Sequence, residues 1–116
     1  VINNDNELIS GSNDRTIKIW NTLTGQCRIT LNNHNLTVNA LIINRNNELI
    51  SGSTDRTIKF WNMTTGEVKK TFSAAHTGDI NSFVINNEDF LLSGSSDNTI
   101  KIWNMNSGEC IMTLLG

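Results

Sequence analysis

One phrase, written three times, limits what this chain can fold into. "SGSNDRTIKIWN" runs from Ser10 to Asn21, "SGSTDRTIKFWN" from Ser51 to Asn62 and "SGSSDNTIKIWN" from Ser93 to Asn104. Trp20, Trp61 and Trp103 stand 41 and 42 residues apart, Gly25, Gly66 and Gly108 keep the same steps, and His34 and His76 are 42 apart. A fixed period of about 40 residues marks a chain made by stacking one supersecondary unit, because such a unit cannot bury its apolar surface alone.

The spacing inside the unit selects strands over helices. In "NTIKIWN", Ile100 and Ile102 alternate with Thr99, Lys101 and Trp103, a period of two rich in β-branched and aromatic residues. "ELISGS" and "FLLSGS", "TVNALII" and "INSFVI", and the closing "CRITL", "VKKTF" and "CIMTL" are short apolar runs bounded by polar turns. No stretch sustains helical spacing for ten residues. Each unit therefore reads as four short strands, which in the second copy are about Val38–Ile43, Leu49–Ser53, Thr57–Asn62 and Val68–Phe72. The links "NRNN", "TD" and "MTTG" are short enough for antiparallel hairpins. The chain is expected to be one repeat region, with units at approximately 1–32, 33–73 and 74–116. Burying a tryptophan's roughly 150–250 Å² stabilises by on the order of 4–6 kcal/mol at about 25 cal/mol per Å², and a lone sheet cannot collect it. Each copy is expected to supply the packing partner that its neighbour lacks.

Composition narrows the function classes. With a net charge of −2 and 17% charged residues in 116, no general attraction to nucleic acid or to an anionic membrane is expected. No apolar run approaches the roughly 20 residues of a membrane span. The opening "VINNDNELIS" lacks the basic and apolar regions of a secretory signal. Cys27 and Cys110 form no C-x-x-C pair and occupy equivalent places in separate units, so they are read as small buried apolar residues of a reducing compartment. An intracellular location follows, the cytoplasm first with the nucleus left open. Asparagine crowds the stretches between the apolar segments, where it reads as turn chemistry. The N-x-T sequons at Asn35 and Asn62 are what a chain this rich in Asn and Thr contains by composition.

Taken together, these segments resemble the WD40 repeat family of radial β-propellers, over essentially the whole chain. The pattern is a histidine ahead of the first strand, S-G-S in the second, Asp in the following turn, T-I-K-I-W-[DN] in the third, and T-G or S-G in the last turn. The usual Trp-Asp is Trp-Asn in every copy (Asn21, Asn62, Asn104), a benign change where the side chain bonds locally. The family's Gly-His appears as Asn33-His34 and Ala75-His76. The resemblance implies an all-β fold of WD40-type blades, the first lacking most of its innermost strand, and a structural hydrogen-bond tetrad in each blade. The matching residues are His34, Ser51, Asp55 and Trp61, then His76, Ser93, Asp97 and Trp103. The first copy offers Ser10, Asp14 and Trp20 without a histidine. The chemistry stands without the family: a buried indole N–H needs an acceptor, a hydroxyl can accept it while donating to imidazole, and a carboxylate can take the imidazole's other proton.

Ser, His and Asp together also raise a hydrolase, but there is no G-x-S-x-G elbow, and the trio is complete twice, each time in step with a tryptophan. Two histidines one unit apart, with no cysteine pair, make no metal site. The glycines sit in strands and hairpin turns rather than in a phosphate-cradling loop. No catalytic residue, metal or cofactor is expected. In propellers the partner surface is commonly the top face, and the matching positions are Asn39 and Asn81 early in the first strand, with Asn13, Thr54 and Ser96 in the S-x-D turns. All five are neutral and suit hydrogen bonding to a peptide backbone, not capture of a phosphopeptide. Arg15 and Arg56 follow the turn aspartates and are candidates for a basic spot on this binding face, although the plainer expectation is that they pair with nearby carboxylates. Lys18, Lys59 and Lys101 are expected to lay their stems over apolar neighbours with the ammonium in water.

The expected function is a non-catalytic scaffold for protein–protein contacts, with proteins or peptides as partners and neither nucleic acid nor membrane. Propellers close with about four to eight blades, so three blades are expected to belong to a larger ring or to associate with another copy. The alternative role is an assembly segment whose open faces, through residues such as Ile58 and Phe60, complete a propeller. A hydrolase ranks third.

Overall fold

A computed structural model describes residues 1–116. Eleven strands and no helix make three antiparallel sheets, each a simple meander. The first blade holds β1 (Leu8–Gly11), β2 (Ile17–Trp20) and β3 (Cys27–Leu31); Ile2 bridges to Leu8 as Ile43 and Ile85, the last residues of the inner strands of the other blades, pair with Leu49 and Leu91. The second holds β4 (Val38–Ile43), β5 (Leu49–Ser53), β6 (Ile58–Trp61) and β7 (Val68–Phe72). The third holds β8 (Ile80–Ile85), β9 (Leu91–Ser95), β10 (Thr99–Trp103) and β11 (Cys110–Leu115). No helix is long and apolar enough to cross a membrane.

The asparagines work as turn devices. Asn44 Oδ1 accepts from the backbone N–H groups of Asn46 and Glu48 at 3.0 and 2.9 Å, and Asn3 and Asn86 repeat the arrangement. The Trp-Asn asparagine does the same for the last turn: Asn62 Oδ1 accepts from Thr64 and Thr65, 2.9 and 3.1 Å away. An acceptor is all that this turn needs, so Asn serves as well as Asp. Gly66, at φ +80°, ends the same turn in the left-handed region that glycine enters without strain.

Register decides what the blades show each other. Cross-strand neighbours share a face, so Ile9, Ile17, Ile19 and Leu31 all lie on the front of the first blade, against Val38, Leu49, Trp61 and Met63 on the rear of the second. The next seam sets Ile50, Ile58 and Phe60 against Ile80, Leu91, Trp103 and Met105, with Phe72 stacked on Trp103 at 5.2 Å between centroids. The glycine of each S-G-S leaves a notch. A Cβ on Gly11 would lie 2.8 Å from Val38 Cγ1, and one on Gly52 only 2.5 Å from Ile80 Cγ2. Polar ties lie outside these apolar strips. Arg28 pairs with Glu7 at 2.6 Å and donates to the carbonyl of Met63, while Lys69 pairs with Glu48 and Lys70 donates to the carbonyl of Met105.

Three sequence expectations are corrected. Both cysteines are exposed, because each sits near a bulge in the outermost strand of its sheet, which has no neighbour on its free edge; each thiol leans on its own strand's carbonyl. The ammonium groups of Lys59 and Lys101 are not left to water alone: Lys59 is buried in the first seam within 3.4 Å of Thr71 Oγ1, and half-buried Lys101 donates from Nζ to Ala75 O at 2.9 Å. Ile58 and Phe60 are not docking residues, since the second seam covers both completely, whereas their counterpart Ile100 is 44% exposed because nothing covers the third blade. The pair gives a direct test of seam energetics. Ile58→Ala is expected to cost about 2–5 kcal/mol in urea unfolding, and Ile100→Ala, at the same place in its blade, a small fraction of that.

Candidate functional site

The Trp, Ser, His and Asp side chains are brought together twice. The loop before β4 delivers His34, β5 delivers Ser51, the β5–β6 turn Asp55 and β6 Trp61. Trp61 Nε1–H donates to Ser51 Oγ at 2.7 Å, Ser51 Oγ lies 2.6 Å from His34 Nε2, and His34 Nδ1 lies 2.8 Å from Asp55 Oδ2. In the third blade Trp103, Ser93, His76 and Asp97 repeat this at 2.9, 2.7 and 2.9 Å. A neutral imidazole protonated at Nδ1 satisfies every link: indole to hydroxyl, hydroxyl to Nε2, Nδ1–H to carboxylate. The first blade keeps only Trp20 Nε1–H to Ser10 Oγ at 2.9 Å, and Asp14 stands exposed.

Each aspartate is held from further directions. Thr57 Oγ1 donates to Asp55 Oδ1 at 2.6 Å and the Asn35 amide to Oδ2 at 3.0 Å; Thr99 and Thr77 serve Asp97 alike. These threonines were missed from the sequence, although the repeated D-x-T at Asp14-Thr16, Asp55-Thr57 and Asp97-Thr99 carried the signal. Burial by itself would raise the Asp55 carboxyl, but the hydrogen bonds from His34, Thr57 and Asn35 outweigh it and hold the group well below the usual carboxylate range. Asp97 is depressed likewise, burial being overcome by Thr99, His76 and Thr77. Ser51 and Ser93 are wholly inaccessible to solvent, and each oxygen already accepts an indole N–H.

Two tests follow. Ser51→Ala strands an indole N–H and an imidazole nitrogen in the seam, at an expected cost of about 1–3 kcal/mol per orphaned group, whereas Ser10→Ala beside half-buried Trp20 costs less; urea unfolding compares them. A carboxyl with a depressed folded pKa stabilises the fold above its unfolded value and loses that contribution as pH falls toward the folded one. The stability gap between the parent and Asp55→Asn is therefore expected to be widest at neutral pH and to narrow below about pH 4.

The candidate top-face residues gather where the β1–β2, β5–β6 and β9–β10 turns meet the loops before β4 and β8. Blades are tied at this end by Val38 N–H to Ser12 O at 3.1 Å and Ala75 N–H to Arg56 O at 3.0 Å. Asn39 and Asn81 are the extra residues of β-bulges: Val38 pairs with Ser53 and Ala40 with Gly52, leaving Asn39 opposite nothing, and Asn81 lies likewise between Ile80 and Ser82. A bulge turns its side chain out of the ladder, and both are exposed. Asn39 Nδ2 donates to Thr54 Oγ1 at 3.0 Å, Ser96 Oγ accepts from the Asp79 amide at 2.9 Å, and Asn81 makes no side-chain hydrogen bond. Asn13 is exposed in the first turn. Arg15 and Arg56 do not pair with carboxylates; each stands exposed in its turn, at φ +75° and +70°, with no carboxylate oxygen within ion-pair reach.

The chain matches the family model described as "WD domain, G-beta repeat" at residues 1–21, 25–62 and 66–104. It is 52% identical over 40 residues to the pre-mRNA-splicing factor PRP46 of Candida glabrata, a match covering 34% of this chain and 9% of that protein. It is 58% identical over 31 residues to a WD repeat-containing protein 89 homolog of Dictyostelium discoideum, covering 27% of this chain and 9% of that one. Each match spans under a tenth of the relative's length. WD40 repeats generally mediate protein–protein interactions and are generally non-catalytic. With the family model taking in most of its length across three sheets, this chain belongs to the WD40 repeat family.

Proposed function

We propose that this chain is a non-catalytic platform that holds a protein or peptide partner at the end carrying Asn39, Asn81, Asn13, Thr54 and Ser96. The observation that carries the reading is the pair of bulges: each aims an exposed amide outward from a strand whose blade is braced by a complete Trp-Ser-His-Asp chain. An amide offers both a donor and an acceptor, which matches the alternating groups of an extended peptide backbone. Arg15 and Arg56, free of ion pairs, would add attraction for a carboxylate on the partner. Catalysis by Ser51 or Ser93 is disfavoured because neither oxygen can meet a substrate. The splicing role printed for the Candida relative supports adding the nucleus to the cytoplasm as a setting for such a platform.

A displayed peptide library selected on the immobilised protein tests this reading. Asn81→Ala and Asn39→Ala together are expected to weaken the selected peptides at least about tenfold, near 1.4 kcal/mol, without lowering the melting temperature. Peptides that bind parent and variant equally would move the partner surface elsewhere.

A further inference from the structure

Lys69 and Lys70 of β7 are the only adjacent cations in the chain, and a third lysine lies across the sheet from the residue that follows them. Lys59 pairs in register with Thr71, and its Nζ lies 3.4 Å from Thr71 Oγ1. Lys59 is 8% exposed, with no carboxylate oxygen within ion-pair reach. A buried ammonium with one neutral partner at the limit of hydrogen-bond distance is poorly compensated, so its surroundings favour a negative charge. Thr71 is itself exposed, on the outermost strand of its sheet, where one edge of the backbone is free. Its hydroxyl therefore has a buried cation on one side and solvent on the other.

The other blades hold the same pair in the same register, Lys18 with Thr30 and Lys101 with Thr113, and use it differently. Lys18 Nζ lies over the Trp20 ring, 5.8 Å from its centroid, and Lys101 Nζ donates to Ala75 O at 2.9 Å. In the second blade alone the ammonium turns to the threonine. The two neighbouring lysines are committed elsewhere, Lys69 to Glu48 and Lys70 to the carbonyl of Met105. Of the three, Lys59 is the one left without a carboxylate or a carbonyl.

We propose that Thr71 is a phosphorylation site whose phosphate is held by Lys59. The phosphoryl donor is a nucleoside triphosphate bound to a protein kinase. The bond from the γ-phosphorus to the bridging oxygen of the β-phosphate breaks, a bond from that phosphorus to Thr71 Oγ1 forms, the hydroxyl proton passes to the kinase's base, and the nucleoside diphosphate leaves. The phosphoryl oxygens reach one bond beyond Oγ1, which brings them to charge-assisted hydrogen-bond distance of Lys59 Nζ. The modification reverses the charge of the β7 edge and gives the buried ammonium its counter-ion. It stands apart from the platform reading, which concerns the loop end of the blades.

The folded protein is incubated with magnesium ATP and a kinase that prefers basic residues ahead of its acceptor, and the phosphate is mapped by mass spectrometry. Phosphorus NMR then titrates it against a phosphorylated peptide of residues 66–75, which keeps Lys69 and Lys70 but lacks Lys59. The phosphate is expected on Thr71, with a second pKa about one unit below that of the peptide, because an adjacent cation favours the dianion. Lys59→Met, close in volume, is expected to return it to the peptide's value, and phosphorylation is expected to raise the urea midpoint of the parent but not of that variant. A folded protein left unmodified at Thr71 overturns the proposal, as does a phosphate that titrates like the peptide's or a shift that survives Lys59→Met. Should that variant fail to fold, the comparison of the parent with the peptide still decides.

Discussion

Trp61 is buried in the seam between the first and second blades, with its one polar atom bonded to Ser51 and its carbon surface in the apolar cluster that includes Ile17 and Ile19. Trp103 is placed in the same way one blade on. Most of the rest depends on this burial of one sheet on the next. A four-stranded meander alone would leave a face and most of an indole in water, so the seams collect the apolar stabilisation that the separate blades cannot. The dependence shows where the seam is missing. Trp20 and Leu8, on the rear of the first blade, are partly exposed, and so is the whole front of the third.

Polar chemistry in the seams obeys the apolar packing. Once the indole is buried its N–H must find an acceptor, the acceptor hydroxyl must place its own proton, and the chain runs through imidazole to a carboxylate at the loop end. The aspartate then also organises the turn through Thr57 or Thr99 and the loop through Asn35 or Thr77. A demand created in the core is thus met at the surface, and it fixes the loops that lead into the strands from which the bulge asparagines project. The same three residue types that would make a hydrolase serve here as a brace, because burial keeps any substrate from the serine oxygen, whose proton and one lone pair are already taken up by imidazole and indole.

Much of the fold was legible from the phrase and its period. β4, β5 and β7 run from Val38, Leu49 and Val68 to the residues that the alternation indicated, because short apolar runs between turn residues have sharp ends. The tetrad positions were legible only through family resemblance, since His34 and Ser51 are 17 residues apart and no spacing rule joins them. The bulges were not legible. An extra residue in one strand is a fact about pairing, and nothing in "TVNALII" says that Asn39 will face no partner. Cys27 and Cys110 were misplaced for a related reason: apolar character assigned them to a core, but an outermost strand has only one neighbour.

The sequence by itself determined that this protein is three antiparallel sheets of one design, and it did so because period-two alternation, turn residues and a 41–42-residue repeat are local properties of the chain. Tertiary structure decided what each equivalent residue became. Ile17, Ile58 and Ile100 are the same residue in the same phrase, yet two are sealed in seams and the third stands open. Lys18, Lys59 and Lys101 likewise meet a tryptophan face, a threonine hydroxyl and a loop carbonyl. Burial is a property of the neighbour as much as of the residue, and which neighbour a repeat acquires depends on its place in the stack.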